Sequence, residues 1–272
     1  MRIATWNVNS VKARMPRLLT WLQERQPDVV LMQETKSTEA AWPAAEFAAL
    51  GYESAHYGDG RWNGVAALSR VGLDDVTRGL PGQPTFDGAL ESRALGVTAA
   101  GFRLWSLYVP NGRALDHPHY AYKLEFLAAV QRQAAAELRE LPGDAAPFAL
   151  LGDFNVAPTD QDVWDVAEFV GRTHVSVPER QALEQLAQGA RSAETSLAEL
   201  MPRASADVDD QRHPYTFWEH RMLGFPKGRG MRIDLVLANA AFRGRTGDVW
   251  VDRDARRGQG ASDHAPVVVD LH

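Results

Sequence analysis

The sequence predicts an α/β domain in which two mixed β-sheets pack face to face and helices cover the outer surfaces. Short runs of strand-forming residues recur through the whole chain, about ten in number. Many neighbouring runs are joined by turns of hairpin length, so the strict strand–helix alternation of a fully parallel sheet is absent. Four or more helical segments interrupt the runs. Two mixed sheets with helices outside accommodate all three observations.

The sequence patterns indicate that some of the predicted strands are more deeply buried than others. Continuous apolar runs such as 28–33 and 148–151 are typical of strands that are buried on both faces. The others are bounded by turns rich in Gly, Pro and Asp. In chain order the predicted strands are Arg2–Val8, Asp28–Gln33, Glu53–His56, Val65–Ser69, Ala94–Ala99, Phe102–Val109, Phe148–Leu151, Ile233–Ala238, Asp248–Val251 and Val267–Leu271.

Three helices have clear start signals. Ser10 is a suitable cap for a helix whose apolar residues are spaced by four, three and four. A long helix is predicted from about Pro118 to Leu141, with the proline in its first turn. Ser176 and Glu179 match a capping box, which opens a helix that ends at Gly189.

Composition indicates one globular domain spanning residues 1–272. The chain is 45% hydrophobic and 24% charged, which excludes a disordered or fibrous protein. The absence of cysteine excludes disulfides, thiolate metal sites and a cysteine nucleophile, and it suits a cytoplasmic location, which we expect. Without a secretory segment or a long apolar run, we expect no membrane partner, and we expect a monomer. The loosest stretch, 190–211, is interpreted as an ordered insertion.

Acids and amides stand at the ends of several apolar runs. Any one of them alone is more often a turn residue or a cap. A carboxylate beside a buried strand is costly unless it is paired or holds a metal, so the whole set indicates a site. Oxygen ligands without cysteine suit Mg²⁺ or Mn²⁺. The residues are Asn7, Glu34, Asp153, Asn155, Asp234, Asp263 and His264.

Other chemistries lack their motifs. Ser262, Asp263 and His264 are consecutive and cannot converge as a triad, and no G-x-S-x-G is present. No H-E-x-x-H supports a zinc site. Segment 258–260 is no dinucleotide fingerprint and 224–230 lacks a P-loop ending, so we expect no nucleotide cofactor. Metal-assisted hydrolysis is the chemistry that the residues favour.

Six blocks, in this order, resemble the exonuclease III-type apurinic/apyrimidinic endonucleases, within the larger endonuclease/exonuclease/phosphatase superfamily. No single block is decisive, but the ordered set spans almost the whole chain. The blocks are Trp6–Asn9, Gln33–Lys36, Tyr108–Gly112, Gly152–Asn155, Arg232–Asp234 and Ser262–Pro266. The resemblance implies a four-layer α/β sandwich. It also implies Mg²⁺-dependent hydrolysis of double-stranded DNA, 5′ to abasic sites and at 3′ ends.

The resemblance also implies roles for individual residues. Glu34 resembles the principal Mg²⁺ ligand, with Mn²⁺ a possible substitute, and Asp263 either shares the ion or orients His264. Asp153 is similar to the base that activates water, and Asn155 orients it. The implied metal set is Asn7, Glu34, Asp153, Asn155, Asp263 and His264. The implied catalytic set is Tyr108, Asp153, Asn155, Asp234 and His264, in which Asp234 fixes the imidazole and Tyr108 lies beside the phosphate or the leaving 3′ oxygen.

The implied DNA contacts surround this set. Four apolar side chains resemble the wall of a pocket that admits a flipped-out abasic sugar and rejects a nucleotide with its base. Taken alone, aromatic residues here are more often core residues, and the polar contacts more often ordinary surface. The implied DNA-binding residues are Trp62, Asn63, Arg93, Asn111, Arg113, Phe217, Trp218, Met231 and Ile233. Two departures flank the first block: Ser10 replaces the family's usual glycine, and Lys12 stands where arginine is frequent.

A net charge of −6 is unfavourable for a DNA partner. The segment Arg221–Arg257 nevertheless contains nine Lys and Arg against four acids, which indicates a basic surface for the phosphate backbone. A solvated basic surface without a ligand is equally consistent with this pattern. Two other functions stay open: hydrolysis of a lipid or inositol phosphate ester, and DNA binding by an inactive repair scaffold.

Overall fold

The computed structural model describes residues 1–141, 146–188, 196–203, 214–221 and 223–272. Two six-stranded sheets pack face to face, and helices cover the outer face of each. The predicted four-layer α/β sandwich is therefore confirmed. None of the described helices is long and apolar enough to cross a membrane.

The first sheet has one parallel pair of strands at its centre, β1 (Arg2–Asn7) and β2 (Val29–Gln33), and its other neighbouring strands pair antiparallel. Across the sheet the strands are β11 (Thr246–Val251), β12 (Val267–Leu271), β1 (Arg2–Asn7), β2 (Val29–Gln33), β4 (Val65–Ser69) and β3 (Glu53–Tyr57).

The second sheet has the same plan, with β7 and β8 as its parallel pair. Across the sheet the strands are β5 (Asp74–Arg78), β6 (Ala94–Ala99), β7 (Phe102–Tyr108), β8 (Phe148–Asp153), β10 (Asp234–Ala238) and β9 (Ala198–Glu199). All ten predicted strands are present. The sequence did not predict β5, a largely exposed and charged edge strand, or β9, which has two residues.

The described helices are α1 (Val11–Arg25), α2 (Ala44–Ala48), α3 (Pro118–Glu140), α4 (Val177–Gln188) and α5 (Ala240–Arg243). Ser10 has φ +86°, a conformation that favours glycine, and its Oγ accepts a hydrogen bond from the Ala13 N–H. The predicted capping box is confirmed between Ser176 and Glu179. The predicted helix end at Gly189 and most of 190–211 lie outside the described residues.

Side chains alternate along each strand, and this alternation divides the core into three apolar layers. The layer between the sheets includes Leu31, Val97, Leu151 and Val236. The layer under α1 and α2 includes Trp6, Leu18, Trp21 and Phe47. The layer under α3 and α4 includes Trp105, Phe126, Leu150 and Leu183.

Candidate active site

The strand register brings the predicted polar residues to one end of the inter-sheet space. Leu151 and Val236 face that space, so Asp153 and Asp234, each two residues away, face it too. Tyr108 pairs with Asp153 across β7 and β8, and Asp153 pairs with Asp234 across β8 and β10. Three neighbouring strands thus present three polar side chains in a row.

Gly152 allows the close approach of these strands. A Cβ atom at this position would lie 2.0 Å from the carbonyl oxygen of Leu107. Any side chain would therefore force β8 away from β7 and move Asp153 away from Tyr108.

A hydrogen-bonded layer separates this site from the apolar core. The Gln33 side-chain amide donates to the hydroxyls of Thr5 and Ser106, both at 3.0 Å. The Ser106 hydroxyl donates in turn to the carbonyl of Met32 at 3.0 Å. The two bonds of Ser106, from Gln33 and to Met32, cross from one sheet to the other and fix their relative position directly beneath the acids.

Asn7 joins the carboxylates of Glu34 and Asp153. Its Nδ2 donates to Glu34 Oε1 and to Asp153 Oδ2, both at 2.9 Å. The other Glu34 oxygen pairs with Lys36 Nζ at 2.9 Å. Asp153 Oδ1 accepts a hydrogen bond from the Asn155 N–H at 2.9 Å. Each carboxylate is therefore held from two sides.

His264 and Asp234 form the predicted acid–histidine pair, with 2.8 Å between Nδ1 and Oδ2. Burial alone would lower the pKa of His264, but the charges of Asp234, Asp153 and Asp263 outweigh it and raise the pKa to about 10. The ring is thus an imidazolium at neutral pH. Its Nε2 points toward Asp153, 3.8 Å from Oδ2.

Two further groups in the site have raised pKa values. Burial raises the pKa of Asp153 to about 7; His264 opposes this shift, whereas Asp234 and Glu34 add to it. Burial, followed by the charge of Glu34, raises the pKa of Tyr108 well above its ordinary value. At neutral pH Tyr108 is a proton donor and Asp153 is close to its titration midpoint.

Replacing Asp234 by asparagine tests whether Asp234 is the group that keeps His264 protonated. In the metal-free protein we expect the pKa of His264 to fall well below that of the wild type. Burial lowers this pKa, and fewer negative charges would then oppose that effect. NMR titration of the His264 ring measures this, with exposed His272 as an internal reference. An unchanged pKa would show that Asp234 is not the dominant partner.

A cavity of about 650 Å³ opens onto these groups. Five of the nine predicted DNA contacts line it: Asn111, Arg113, Phe217, Met231 and Ile233. The Phe217 ring lies 4.9 Å from the His264 ring, which places an apolar wall next to the imidazolium. The cavity is therefore apolar on one side and polar on the other.

The other four predicted DNA contacts lie outside the cavity lining. Trp218 is 1% exposed and packs in the core beneath Phe225. Asn63 and Arg93 are also buried, and Arg93 pairs with Glu91 behind Tyr108. Trp62 is 78% exposed, on the Lys36 side of the site. DNA contact by these four residues stays a prediction.

Asp263 lines the cavity without joining the central cluster. Its Oδ1 accepts a hydrogen bond from Asn9 Nδ2 at 2.9 Å. Burial alone would raise its pKa, but His264 and Asn9 outweigh this and lower it. Its carboxylate is thus an ionised group at the rim of the site.

Seven residues that line the cavity were not predicted from the sequence: Ala114, Phe169, Gly171, Arg172, Thr173, His174 and Glu219. His174 lies between the side chains of Asn111 and Asn155, with its Nε2 at 3.1 and 3.2 Å from them. Burial, with the charge of Lys123, lowers the pKa of His174 to about 3, so the ring is neutral. Arg172 lines the same wall. Both belong to a loop without a motif, and the only nearby signal was the capping box at Ser176.

The donors of the site fit a metal ion. Ligand atoms of Glu34, Asp153 and His264 all lie within 4.8 Å of one another. Two carboxylates beside the amide of Asn7 supply the oxygen donors that hard divalent cations prefer. As an imidazolium, His264 is a poorer ligand than the two acids.

The basic segment divides into structural and exposed residues. Arg232 is buried and pairs with Asp162 and Glu199. Arg256 is buried and donates to the carbonyl of Trp218 at 3.0 Å. By contrast, Arg221, Lys227 and Arg229 are exposed and follow the cavity residue Glu219 in the chain. Only part of the predicted basic surface is therefore available to a ligand.

Fold and comparisons together place the chain among the hydrolases. A family model described as the endonuclease/exonuclease/phosphatase family matches residues 4–264. The chain belongs to this family, as the resemblance indicated, and is a nuclease.

Curated relatives match along the whole chain. Exodeoxyribonuclease III of Haemophilus influenzae is 27% identical over 276 residues, which cover 98% of each chain. DNA repair nuclease APEX1 of Danio rerio is 29% identical over 280 residues, which cover all of this chain and 82% of the relative. The similarity therefore includes both sheets and every element that contributes to the site.

Solved structures with the same fold agree. A 3′ phosphatase from Neisseria, solved with a product DNA hairpin, has a TM-score of 0.88 and 33% identity. An AP endonuclease from Archaeoglobus fulgidus has a TM-score of 0.85 and 30% identity. Each alignment covers 100% of this chain and 99% of the other.

Proposed function

We propose that the chain is a Mg²⁺-dependent DNA repair nuclease that hydrolyses the phosphodiester 5′ to abasic sites and trims 3′ ends of double-stranded DNA. One observation carries the proposal: Glu34, Asp153 and His264 converge at the floor of a single cavity. Hydrolysis of a phosphodiester needs a base that activates water, a bound cation and a positive group that stabilises the phosphate charge. These residues can act as the base, hold the cation and provide the positive group.

Each side chain has a distinct part in the proposed reaction. Glu34 and Asp153, with Asn7 beside them, would hold Mg²⁺, which supplies positive charge against the phosphate oxygens. Asp153 takes the proton of the attacking water; burial favours this role, because it raises the pKa of Asp153 to about 7 in the metal-free protein. Asn155 orients that carboxylate through its N–H.

Residues on the other side of the site stabilise the negative charge of the phosphate. The His264 imidazolium, held by Asp234, faces a non-bridging phosphate oxygen and stabilises its charge. Tyr108 keeps its proton and donates it as a hydrogen bond to the phosphate or to the leaving 3′ oxygen. The apolar wall of Phe217, Met231 and Ile233 would receive a flipped abasic sugar.

A second activity, release of phosphate from a 3′ end, is favoured by the position of His174. Its ring stands in the cavity between Asn111 and Asn155, where it takes space from a flipped sugar. A terminal 3′ phosphate does not require a flipped nucleotide to enter. The Neisseria relative, at 33% identity, is itself a 3′ phosphatase.

Shortening His174 to alanine should change the balance between these activities. We expect the ratio of abasic-site incision to 3′-phosphate release to rise about 10-fold or more, because the cavity gains the volume of the ring. Steady-state kcat/KM on the two duplexes measures the ratio. His272→Ala, at the exposed chain end, is the control. An unchanged ratio would exclude His174 as the determinant.

The function itself is tested on four substrates, each with Mg²⁺ and with EDTA. They are a duplex with an internal abasic site, a 3′ recessed end, a 3′ phosphate and a phospholipid headgroup ester. We expect turnover of DNA that EDTA abolishes. Turnover of the lipid alone would favour the phospholipid alternative. DNA binding without cleavage in Mg²⁺ or Mn²⁺ would favour an inactive scaffold.

A further inference from the structure

A buried ion pair lies behind the polar wall of the cavity. It joins Lys123 on α3 to Glu179 on α4, and both side chains are fully buried. Neither residue lines the cavity, so neither can touch DNA or a metal there. The pair therefore acts on the site only through the residues that it holds.

Lys123 uses all three of its N–H donors. One bonds to Glu179, one to the carbonyl oxygen of Asn155 at 2.7 Å, and one to that of Asn111 at 3.2 Å. Both carbonyls belong to residues whose side chains line the cavity. Its aliphatic stem packs under the same turn, since a Cβ on Gly112 would lie 3.3 Å from Lys123 Cδ.

Both carboxylate oxygens of Glu179 likewise accept two hydrogen bonds each. Besides Lys123, Oε1 accepts the His174 N–H at 2.9 Å. Oε2 accepts the N–H of Ser176 at 3.0 Å and its hydroxyl at 2.5 Å. One ion pair thus connects the loops after β7 and β8 with the loop before α4.

Two of the residues held by this pair have costly backbone conformations. Asn155 has φ +51° and His174 has φ +79°, in the left-handed region that disfavours residues other than glycine. Such conformations persist only where surrounding contacts impose them. The Lys123 bond to the Asn155 carbonyl and the Glu179 bond to the His174 N–H are contacts of this kind.

We propose that Lys123 and Glu179 are positioning residues for DNA hydrolysis: their ion pair holds the backbone turns that aim Asn155 and His174 into the cavity. A buried ion pair often stabilises a fold no better than apolar residues of similar size would. Its value here is geometric, because displacement of a reacting site by about 1 Å can lower a rate about 100-fold. This inference rests on the proposed function.

The double variant Lys123→Met/Glu179→Gln tests the inference. It removes both charges together, so no unpaired charge is left buried. We expect kcat on a 3′-phosphate duplex to fall about 10- to 100-fold while KM stays within about threefold, since no residue that lines the cavity is itself substituted. The single variant Glu179→Gln, which keeps the acceptor for His174, should retain more of kcat.

Arg103→Met/Glu137→Gln is the matched control. It removes a second largely buried ion pair of the same helix, about 20 Å along α3 from Lys123. We expect this control to lower the thermal midpoint and leave kcat unchanged. Equal kcat values for wild type and folded double variant would overturn the inference. If the double variant does not fold, a wild-type kcat in Glu179→Gln overturns it instead.

Backbone NMR separates this inference from the proposed function. The amide signals of Asn155 and His174 should shift in the double variant and stay in place in the Arg103 control, whether or not the protein cuts DNA. A wild-type protein without nuclease activity would refute the proposed function. Unshifted amides in the double variant would refute the positioning role alone.

Discussion

Asp153→Asn is expected to lower kcat for DNA cleavage by about 10³-fold, with KM for DNA little changed. The asparagine keeps the shape of the side chain but cannot accept a proton from water, and general-base catalysis contributes about 10²–10⁴-fold. Rapid-quench measurement of a single turnover on an abasic or 3′-phosphate duplex isolates this step. Loss of kcat at constant KM would identify an interaction made in the transition state.

A thermal melt of the variant shows whether unfolding contributes to this loss. Because the pKa of Asp153 is raised to about 7 in the folded protein, ionising this carboxyl costs stability, and the cost is complete above that pH. The uncharged asparagine avoids this cost, so the metal-free variant should melt no lower than wild type at pH 8. Asp160→Asn makes the same change at an exposed position seven residues further along the chain and should keep full activity. A variant at Asp153 with more than a tenth of wild-type kcat would contradict the assignment.

Glu34→Gln is expected to weaken Mg²⁺ binding about 10- to 100-fold and to lower activity at limiting Mg²⁺ in proportion. The amide keeps one oxygen donor, but it removes the negative charge that the cation and Lys36 share. Isothermal titration with Mg²⁺, or with Mn²⁺ followed by electron paramagnetic resonance, measures binding independently of cleavage.

Glu53→Gln, at the exposed first residue of the edge strand β3, is the control and should bind metal as wild type does. Excess Mg²⁺ should restore part of the activity of Glu34→Gln. It should not restore Asp153→Asn to the wild-type rate, because added metal cannot supply the missing proton acceptor. Wild-type metal affinity in Glu34→Gln would show that the principal ligand lies elsewhere.

The catalytic floor of the site was predictable because it belongs to the strands. Asp153 and Asp234 end or begin apolar runs, and the period of two along a strand decides which way they face. Glu34 and His264 likewise adjoin predicted strands. Once the strands pair in register, these side chains have to meet, so the sequence contained both the residues and the reason for their convergence.

The cavity walls were much less predictable. His174 and Lys123 lie outside the six blocks that resemble the family, and only tertiary packing brings them to Asn155. Trp218 and Arg93 were predicted to touch DNA, and their sequence positions do not reveal their burial. That burial depends on packing partners outside the motif, such as Phe225 against the Trp218 ring. Pocket walls are built from tertiary contacts, which local pattern does not encode.

Cleavage in water enriched in ¹⁸O tests whether a water molecule attacks phosphorus in the proposed reaction. If Asp153 activates a water that attacks phosphorus, each turnover places one ¹⁸O in the phosphate of the product: the 5′ phosphate after incision or exonuclease action, and inorganic phosphate after 3′-phosphate release. Mass spectrometry of the products with Mg²⁺, and of EDTA controls, reads this out. We expect ¹⁸O in phosphate, none in the 3′ hydroxyl, and no product in EDTA. Strand cleavage that incorporates no ¹⁸O, or that incorporates it in the sugar hydroxyl, would contradict the account.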